Sequence, residues 1–277
     1  MPAIVDLAAE AAKLTMFRGL TPFTKRGERK GSAAQLPRYR DGILLLGKSA
    51  GTSHWETHPE DELVHVLDGS KTLEIVCDDG PTRSFALRPG TIAIVPQGAW
   101  HRVLSADGGT TFSATIPGDH IELDVDDPRT GTPGLDIGKA LRPPSIVDLT
   151  AELAKLTMFR GRTPRSTNAD RKDSSTRLAA YRDGAMSLTK FAGKGHWESH
   201  PADELIHVLD GTATLEMVVD DRPQSFALHA GMIAVNPQGT WHRFSSADGV
   251  ALLAVTPSPS EVIDLDVDDP RQVERKP

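Results

Sequence analysis

Histidine and glutamate side chains alternate along one short segment of the chain, at His54, Glu56 and His58. Successive side chains of a β-strand point to opposite faces, so an extended segment would place these three on one face. Imidazole and carboxylate groups are costly to bury without partners, and a metal ion would satisfy all three together. Glu62, which enters the next strand, and His101, which follows a Pro-Gln-Gly turn, could complete the set. These residue types therefore indicate a metal site.

The second half of the chain repeats this set. The segment from His54 to Asp79 and the segment from His196 to Asp221 agree at 19 of their 26 positions. The intervening loops have diverged, whereas every candidate ligand is present in both copies. The repeat therefore predicts two metal sites of similar chemistry. The counterparts in the second half are His196, Glu198, His200, Glu204 and His242.

Short apolar segments between turn-forming residues predict β-strands through most of each half. Two such strands flank Asp68-Gly69, which predicts a hairpin. Apolar residues from Leu7 to Phe17 have helical spacing and predict a short helix-like segment at the start of each half. The segment at residues 131–145 is rich in glycine and proline, which predicts a linker. The sequence thus predicts two all-β domains of sandwich or barrel type, at residues 1–130 and 146–277.

The residues around both candidate sites resemble the two motifs of the cupin superfamily. The first motif is His-x-His, three or four residues, Glu, six residues and Gly; the second is Gly, five residues, Pro-x-Gly, two residues and His. The resemblance implies an all-β fold of two tandem jelly-roll barrels, a bicupin. In the first half the matching residues are Glu56, His58, Glu62, Gly69, Gly90, Pro96, Gly98 and His101. In the second half they are Glu198, His200, Glu204, Gly211, Gly231, Pro237, Gly239 and His242.

The chain departs from the family in that glutamate replaces the first histidine of the first motif. Two ligand sets are therefore open. In one set, two histidines and two glutamates bind a hard ion such as Mn²⁺ or Fe²⁺. In the other, His54 and His196 replace Glu56 and Glu198, which gives three histidines and one glutamate. The spacing of the family favours the first set: Glu56, His58, Glu62 and His101, and Glu198, His200, Glu204 and His242.

The resemblance implies two divalent metal ions per chain, with Fe or Mn favoured over Zn or Ni. It also implies a metal-dependent oxidoreductase of dioxygenase type that acts on a small organic or aromatic acid. His54 and His196 would then be the catalytic residues that shuttle protons. The extra carboxylates leave two alternatives open, a metal-dependent isomerase or lyase and a non-enzymatic metal-dependent binder of small molecules. Cupins commonly pair through their sheets, so a homodimer fits the family.

Composition excludes several other classes of protein. Lysine and arginine number 31 against 38 aspartates and glutamates, and we find no basic stretch for a nucleic acid. The single cysteine, Cys77, excludes a disulfide framework. The apolar runs are far shorter than the ~20 residues that cross a membrane. The N-terminal residues lack the pattern of a secretory signal. We therefore expect a cytoplasmic protein with a small-molecule substrate.

Overall fold

The architecture is seen in a computed structural model, which describes residues 1–76, 80–131 and 142–273. Cys77 and most of the predicted linker lie outside the described residues. Strands dominate the rest of the chain, which confirms the predicted all-β fold class. Within the described ranges, no helix is long and apolar enough to span a membrane.

The strands up to residue 150 differ in the burial of their side chains. In chain order they are β1 (Ala3–Asp6), β2 (Phe17–Leu20), β3 (Ala33–Tyr39), β4 (Gly42–Thr52), β5 (Trp55–Glu56), β6 (Glu62–Gly69), β7 (Lys71–Val76), β8 (Arg83–Leu87), β9 (Thr91–Val95), β10 (Trp100–Thr115), β11 (His120–Ile121) and β12 (Ser145–Asp148). Among them, β4 and β7 alternate in the burial of their side chains, whereas β9 is buried on both faces.

The later strands repeat this order, except that one long strand, Glu204–Val219, takes the place of β6 and β7. They are β13 (Phe159–Arg162), β14 (Ser175–Tyr181), β15 (Gly184–Lys194), β16 (Trp197–Ser199), β17 (Glu204–Val219), β18 (Arg222–His229), β19 (Met232–Asn236), β20 (His242–Pro257) and β21 (Glu261–Ile263). The helices are short: α1 (Leu7–Ala12), α2 (Pro128–Gly131), α3 (Leu149–Ala154) and 3-10 turns at Arg26–Arg29 and Pro270–Gln272.

Each domain contains an edge strand that comes from the start of the other sequence repeat. Strand β12 pairs antiparallel with β9, so that Ile146 lies opposite Ala93. Strand β1 pairs in the same way with β19. One compact unit is therefore Ala8–Thr150, called here the first domain, and the other is Met1–Leu7 with Ala151–Pro277, called the second domain. The linker boundaries inferred from the sequence stay a prediction.

The predicted hairpin at Asp68-Gly69 is wrong. Strands β6 and β7 do not pair with each other; both pair with the long strand β10, one at each of its ends. Gly69 has a φ of +73°, and a Cβ there would lie 2.2 Å from the backbone oxygen of Gly108. The glycine therefore permits a close approach to β10 and a bend in the strand, instead of a reversal. In the second domain the same stretch is one continuous strand, β17.

The predicted helix and the last predicted strands also differ from the structure in extent. Helix α1 ends at Ala12, and Phe17 begins β2, which pairs with β4 at Ser49. The apolar segments at residues 100–104 and 111–116 predict two separate strands, but the structure has one strand there, β10, with a register shift between Ser105 and Gly109. A bulge keeps such a strand continuous although its pairing is interrupted.

Each domain has a core cluster of buried apolar side chains. In the first domain the core cluster includes Leu73, Ile75 and Val95. Trp55 and Trp100 pack on each other in a separate buried cluster. His65 is also buried, as is His207 in the second domain.

Candidate metal centres

The first domain brings four predicted side chains together. Glu62 Oε2 lies 2.9 Å from His101 Nε2 and 3.6 Å from His58 Nε2. Glu56 Oε2 lies 4.0 Å from His58 Nε2. Ligand atoms of Glu56, His58 and His101 all lie within 4.8 Å of one another, and Glu62 contacts both histidines of this group.

The second domain repeats the geometry with all four side chains in one group. Ligand atoms of Glu198, His200, Glu204 and His242 lie within 4.8 Å of one another. Glu204 Oε2 is 2.9 Å from His242 Nε2, and Glu204 Oε1 is 3.5 Å from His200 Nε2. The structure thus contains two potential metal sites, one in each domain, as the sequence repeat predicts.

Strand register and one tight turn position these side chains. Glu56 lies opposite His101 where β5 pairs with β10, so their side chains share one face. The turn before His101 contains Gly98, whose φ of +75° suits glycine and whose backbone N–H donates to the His58 carbonyl oxygen at 3.0 Å. Both motifs are thereby joined by a backbone hydrogen bond as well as by strand pairing.

The electrostatics of the first site are those of a strongly interacting set of charges. Burial opposes ionisation of Glu62, but the nearby His58 charge and the hydrogen bond with His101 lower its pKa to about 2. Burial likewise opposes protonation of His58, but the Glu62 carboxylate raises its pKa to about 9. Despite burial, the hydrogen bond with His54 lowers the pKa of Glu56. The carboxylates are therefore charged and ready to bind a cation.

At the second site, too, the pKa of a glutamate is lowered and that of a histidine is raised. Burial disfavours the charged form of Glu198, but a hydrogen bond with His196 and the proximity of His242 lower its pKa to about 2. The pKa of His242 is raised despite burial, because Glu204 accepts a hydrogen bond from it. Two carboxylate and two imidazole donors per site match the divalent ions Mn²⁺ and Fe²⁺.

Buried ring nitrogens without partners test whether these residues fit a metal. Among the described residues, Nε2 of His58 and Nε2 of His200 are buried and have no hydrogen-bond partner. A buried polar atom without a partner is costly, and coordination would satisfy it. His101 Nδ1 lies 3.2 Å from the carbonyl oxygen of Ala99, which leaves its Nε2 to face the cluster. Such a carbonyl commonly orients a metal-binding histidine. The residues present therefore fit a metal ion in both domains.

His54 and His196, the predicted catalytic residues, lie at the outer side of the clusters. His54 Nε2 is 3.5 Å from Glu56 Oε2, and its side chain is 27% exposed. His196 Nε2 lies 3.5 Å from Glu198 Oε2, and its side chain is 15% exposed. Each imidazole therefore touches the cluster through one carboxylate. Their catalytic role, and the assignment of the eight ligands, stay predictions.

The structure adds residues that sequence reasoning missed. His120 in β11 lies beside His54, with ring centroids 5.3 Å apart. In the second domain Asn236 Nδ2 donates to Glu204 Oε2 at 3.0 Å, and Thr256 Oγ1 donates to Glu204 Oε1 at 2.6 Å. Ser260 Oγ is 3.0 Å from His200 Nδ1. Asn236 could have been noticed, because it is a polar residue in an apolar strand where the first half has valine.

The two sites open into cavities of different size. The cavity of the first domain has a volume of about 600 Å³ and is lined by His54 and all four predicted ligands. The cavity of the second domain has about 240 Å³. Phe191 and Phe244 line the smaller one, where the first domain has Ser49 and Val103. The first domain therefore has room for a small organic molecule beside its metal site.

A half-buried arginine narrows the second cavity further. The Arg162 guanidinium carbon lies 4.4 Å from the ring centroid of Phe191, in cation–π geometry. Burial, followed by the positive charge of Arg171, lowers the pKa of Arg162 to about 10. Leu20 holds the matching position in the first domain, because it lies opposite Gly51 as Arg162 lies opposite Gly193. The two sites therefore share ligands but not their surroundings.

Comparison with known proteins agrees with this fold and these sites. The protein-family model of the cupin domain matches the sequence at residues 42–115 and 186–256, just over half of the chain. The protein therefore belongs to the cupin family, and with two such domains it is a bicupin. No curated protein matches its sequence.

Solved structures of other bicupins resemble it at low sequence identity. A mutant of salicylate 1,2-dioxygenase from Pseudoaminobacter salicylatoxidans in complex with gentisate is 13% identical, with a TM-score of 0.61 over 95% of this chain and 85% of that one. A mutant of oxalate decarboxylase from Bacillus subtilis is 13% identical, with a TM-score of 0.53 over 83% of this chain and 74% of that one. At these identities the likeness shows the fold.

Proposed function

We propose that this bicupin is a metal-dependent oxidoreductase of dioxygenase type, which acts on a small organic or aromatic acid in the first domain. The observation that carries the proposal is the cavity of about 600 Å³ that is lined by two histidines and two carboxylates of the candidate metal site. The fold is shared with a salicylate dioxygenase, whose named ligand is an aromatic acid. A cytoplasmic location and a homodimer stay predictions.

The side chains of the first domain have separate roles in this proposal. Glu56, His58, Glu62 and His101 would hold the ion, and a bound Fe²⁺ or Mn²⁺ would supply Lewis-acid and redox chemistry at this point. His54 contacts the Glu56 carboxylate and reaches the cavity, so it can accept a proton from a hydroxyl of the bound acid. His120 packs beside His54 and restricts its position.

The proposal makes the first domain the site of reaction. The second cavity is about 240 Å³, and Arg162 and Phe191 occupy part of the space next to its ligands. The second site would then hold its ion without admitting an acid of similar size. This division does not change the expectation of two metal ions per chain.

Oxygen consumption tests the proposal. Fe²⁺-loaded protein is expected to consume oxygen with at least one member of a panel of small acids that includes gentisate and oxalate. Glu62→Gln should reduce that rate by about 100-fold or more, because it removes a ligand charge next to the substrate. The matched variant Glu204→Gln should keep most of the rate.

Other outcomes would contradict it. Turnover of a panel acid without oxygen would favour the isomerase or lyase alternative, which the two carboxylates per site also suit. Binding of a panel acid without turnover would indicate a non-enzymatic binder. Equal losses in Glu62→Gln and Glu204→Gln would contradict the assignment of the reaction to the first domain.

A further inference from the structure

One buried cation faces the cavity of the first domain and has no role in the metal site. Lys71, the first residue of β7, is 4% exposed. Ile75 lies opposite His101 and Leu73 lies opposite Val103 in the pairing of β7 with β10. Alternate residues of a strand share a face, so Lys71 is on the same inward face as Leu73 and Ile75. It accordingly lines the cavity together with His101 and Val103.

The ammonium group of Lys71 is only partly satisfied. Its Nζ donates to the backbone oxygen of Ser49 at 2.8 Å, and Ser49 Oγ lies 3.4 Å away. An ammonium has three N–H donors, so one donor is left for a ligand. No carboxylate of the described residues forms an ion pair with it, and burial alone lowers its pKa to about 8. A buried cation without an anion is costly, and a bound anion would relieve that cost.

The second domain lacks this arrangement. Ala213 stands at the position of Lys71, and Phe191 stands at the position of Ser49. Two further cavity residues of the first domain, Thr111 and Ser113, are matched by leucine and alanine in the second. The two domains therefore differ by a set of polar groups that line one cavity and are absent from the other.

We propose that Lys71 binds the carboxylate of the substrate at the inner end of the cavity of the first domain, and so selects acids over neutral compounds. Lys71 lies four residues from Ile75, about 13 Å along the strand from the residue opposite His101. The lysine side chain and an acid with one aromatic ring together bridge such a distance. The hydroxyls of Thr111 and Ser113 lie along the path. This inference rests on the proposed function, because it assigns the part of the substrate that the lysine holds.

Binding of benzoate and of its neutral analogue benzamide tests this role. Mn²⁺-loaded protein is titrated with each compound in the absence of oxygen, and the titration is repeated with metal-free protein. We expect Lys71→Met, which keeps the length of the side chain without its charge, to lower benzoate affinity at least about tenfold. Benzamide affinity should change less than about twofold, since the amide does not need the charge.

Two controls make the result specific. Lys71→Ala copies the residue that the second domain tolerates at this position, so it provides a second folded variant and should give the same selective loss. Arg26→Met removes a cation from the exposed part of the cavity wall and should leave benzoate affinity nearly unchanged. Circular dichroism of each variant checks the fold.

Several results would overturn the proposal. In the first, the wild-type protein binds benzoate no more tightly than benzamide. In the second, Lys71→Met leaves the benzoate affinity unchanged. In the third, Lys71→Met lowers the affinities for benzoate and benzamide equally. A larger loss of benzoate affinity in Arg26→Met than in Lys71→Met would place the carboxylate at the outer wall instead. Because these titrations need no turnover, failure of oxygen consumption would contradict the proposed activity and leave this result unaffected.

Discussion

Glu62→Gln is expected to empty the metal site of the first domain and to leave that of the second domain filled. The glutamine keeps the size of the side chain but loses the charge that lies 2.9 Å from His101 and 3.6 Å from His58. Glu204→Gln should have the opposite effect. Each change should weaken one site by at least about 100-fold, because even residues that only orient metal ligands contribute 10–100-fold. Mass spectrometry of dialysed protein should find about half of the wild-type metal in each single variant.

The two variants serve as controls for each other, since each removes a carboxylate from the same position of a repeated motif. The double variant should retain almost no metal. Loss of all metal from either single variant, or full retention in both, would contradict the assignment of one independent site to each domain.

The affinity of the first site for Mn²⁺ is expected to rise with pH between about 6.5 and 9. In the metal-free protein the pKa of His58 is raised to about 9 by the Glu62 carboxylate, so a metal must displace a proton below that pH. Displacement of one proton makes affinity rise about tenfold per pH unit, or about 100-fold from pH 6.5 to pH 8.5. Calorimetric titration of Glu204→Gln protein, in which the second site is weakened, would measure this slope.

The stability of the metal-free protein should have the opposite slope over the same range. The pKa of His58 in the folded protein is above its usual value of 6.5. The contribution of His58 to the free energy of unfolding is therefore complete below about pH 6.5 and is lost as pH rises through about 9. The pKa of Glu62 is lowered to about 2, so its contribution is complete above about pH 4.5 and is lost as pH falls towards 2. If the Mn²⁺ affinity of the first site does not change from pH 6.5 to 8.5, that result would contradict the His58–Glu62 interaction.

The clustering of the predicted ligands could be foreseen because it depends on local rules. Alternation in an extended segment places Glu56 and His58 on one side, and a tight turn at Gly98 brings His101 back to them. The duplication supports the prediction of the ligands, since each ligand position is matched in the second half of the chain. Fold class follows from the same pattern of short apolar segments and turn residues.

Other features depend on contacts between distant parts of the chain, which no local pattern encodes. His120 reaches the site because β11 pairs with β5, more than 60 residues earlier in the sequence. The pairing of β1 with β19 joins the two ends of the chain in one domain. Asp68-Gly69 has the composition of a hairpin turn, but pairing of both flanking strands with β10 overrides it. The position of Lys71 in the cavity likewise depends on the arrangement of β4, β7 and β10.

We expect each domain to bind one divalent ion through two glutamates and two histidines. The measurement that decides this is metal content by mass spectrometry, on protein purified without chelator or added metal. Wild-type protein should contain about two Fe or Mn ions per chain. The Glu56→Ala, Glu198→Ala double variant should lose them, and the His54→Ala, His196→Ala double variant should keep them. Metal that is retained in the glutamate variant and lost in the histidine variant, or no metal in the wild-type protein, would contradict this expectation.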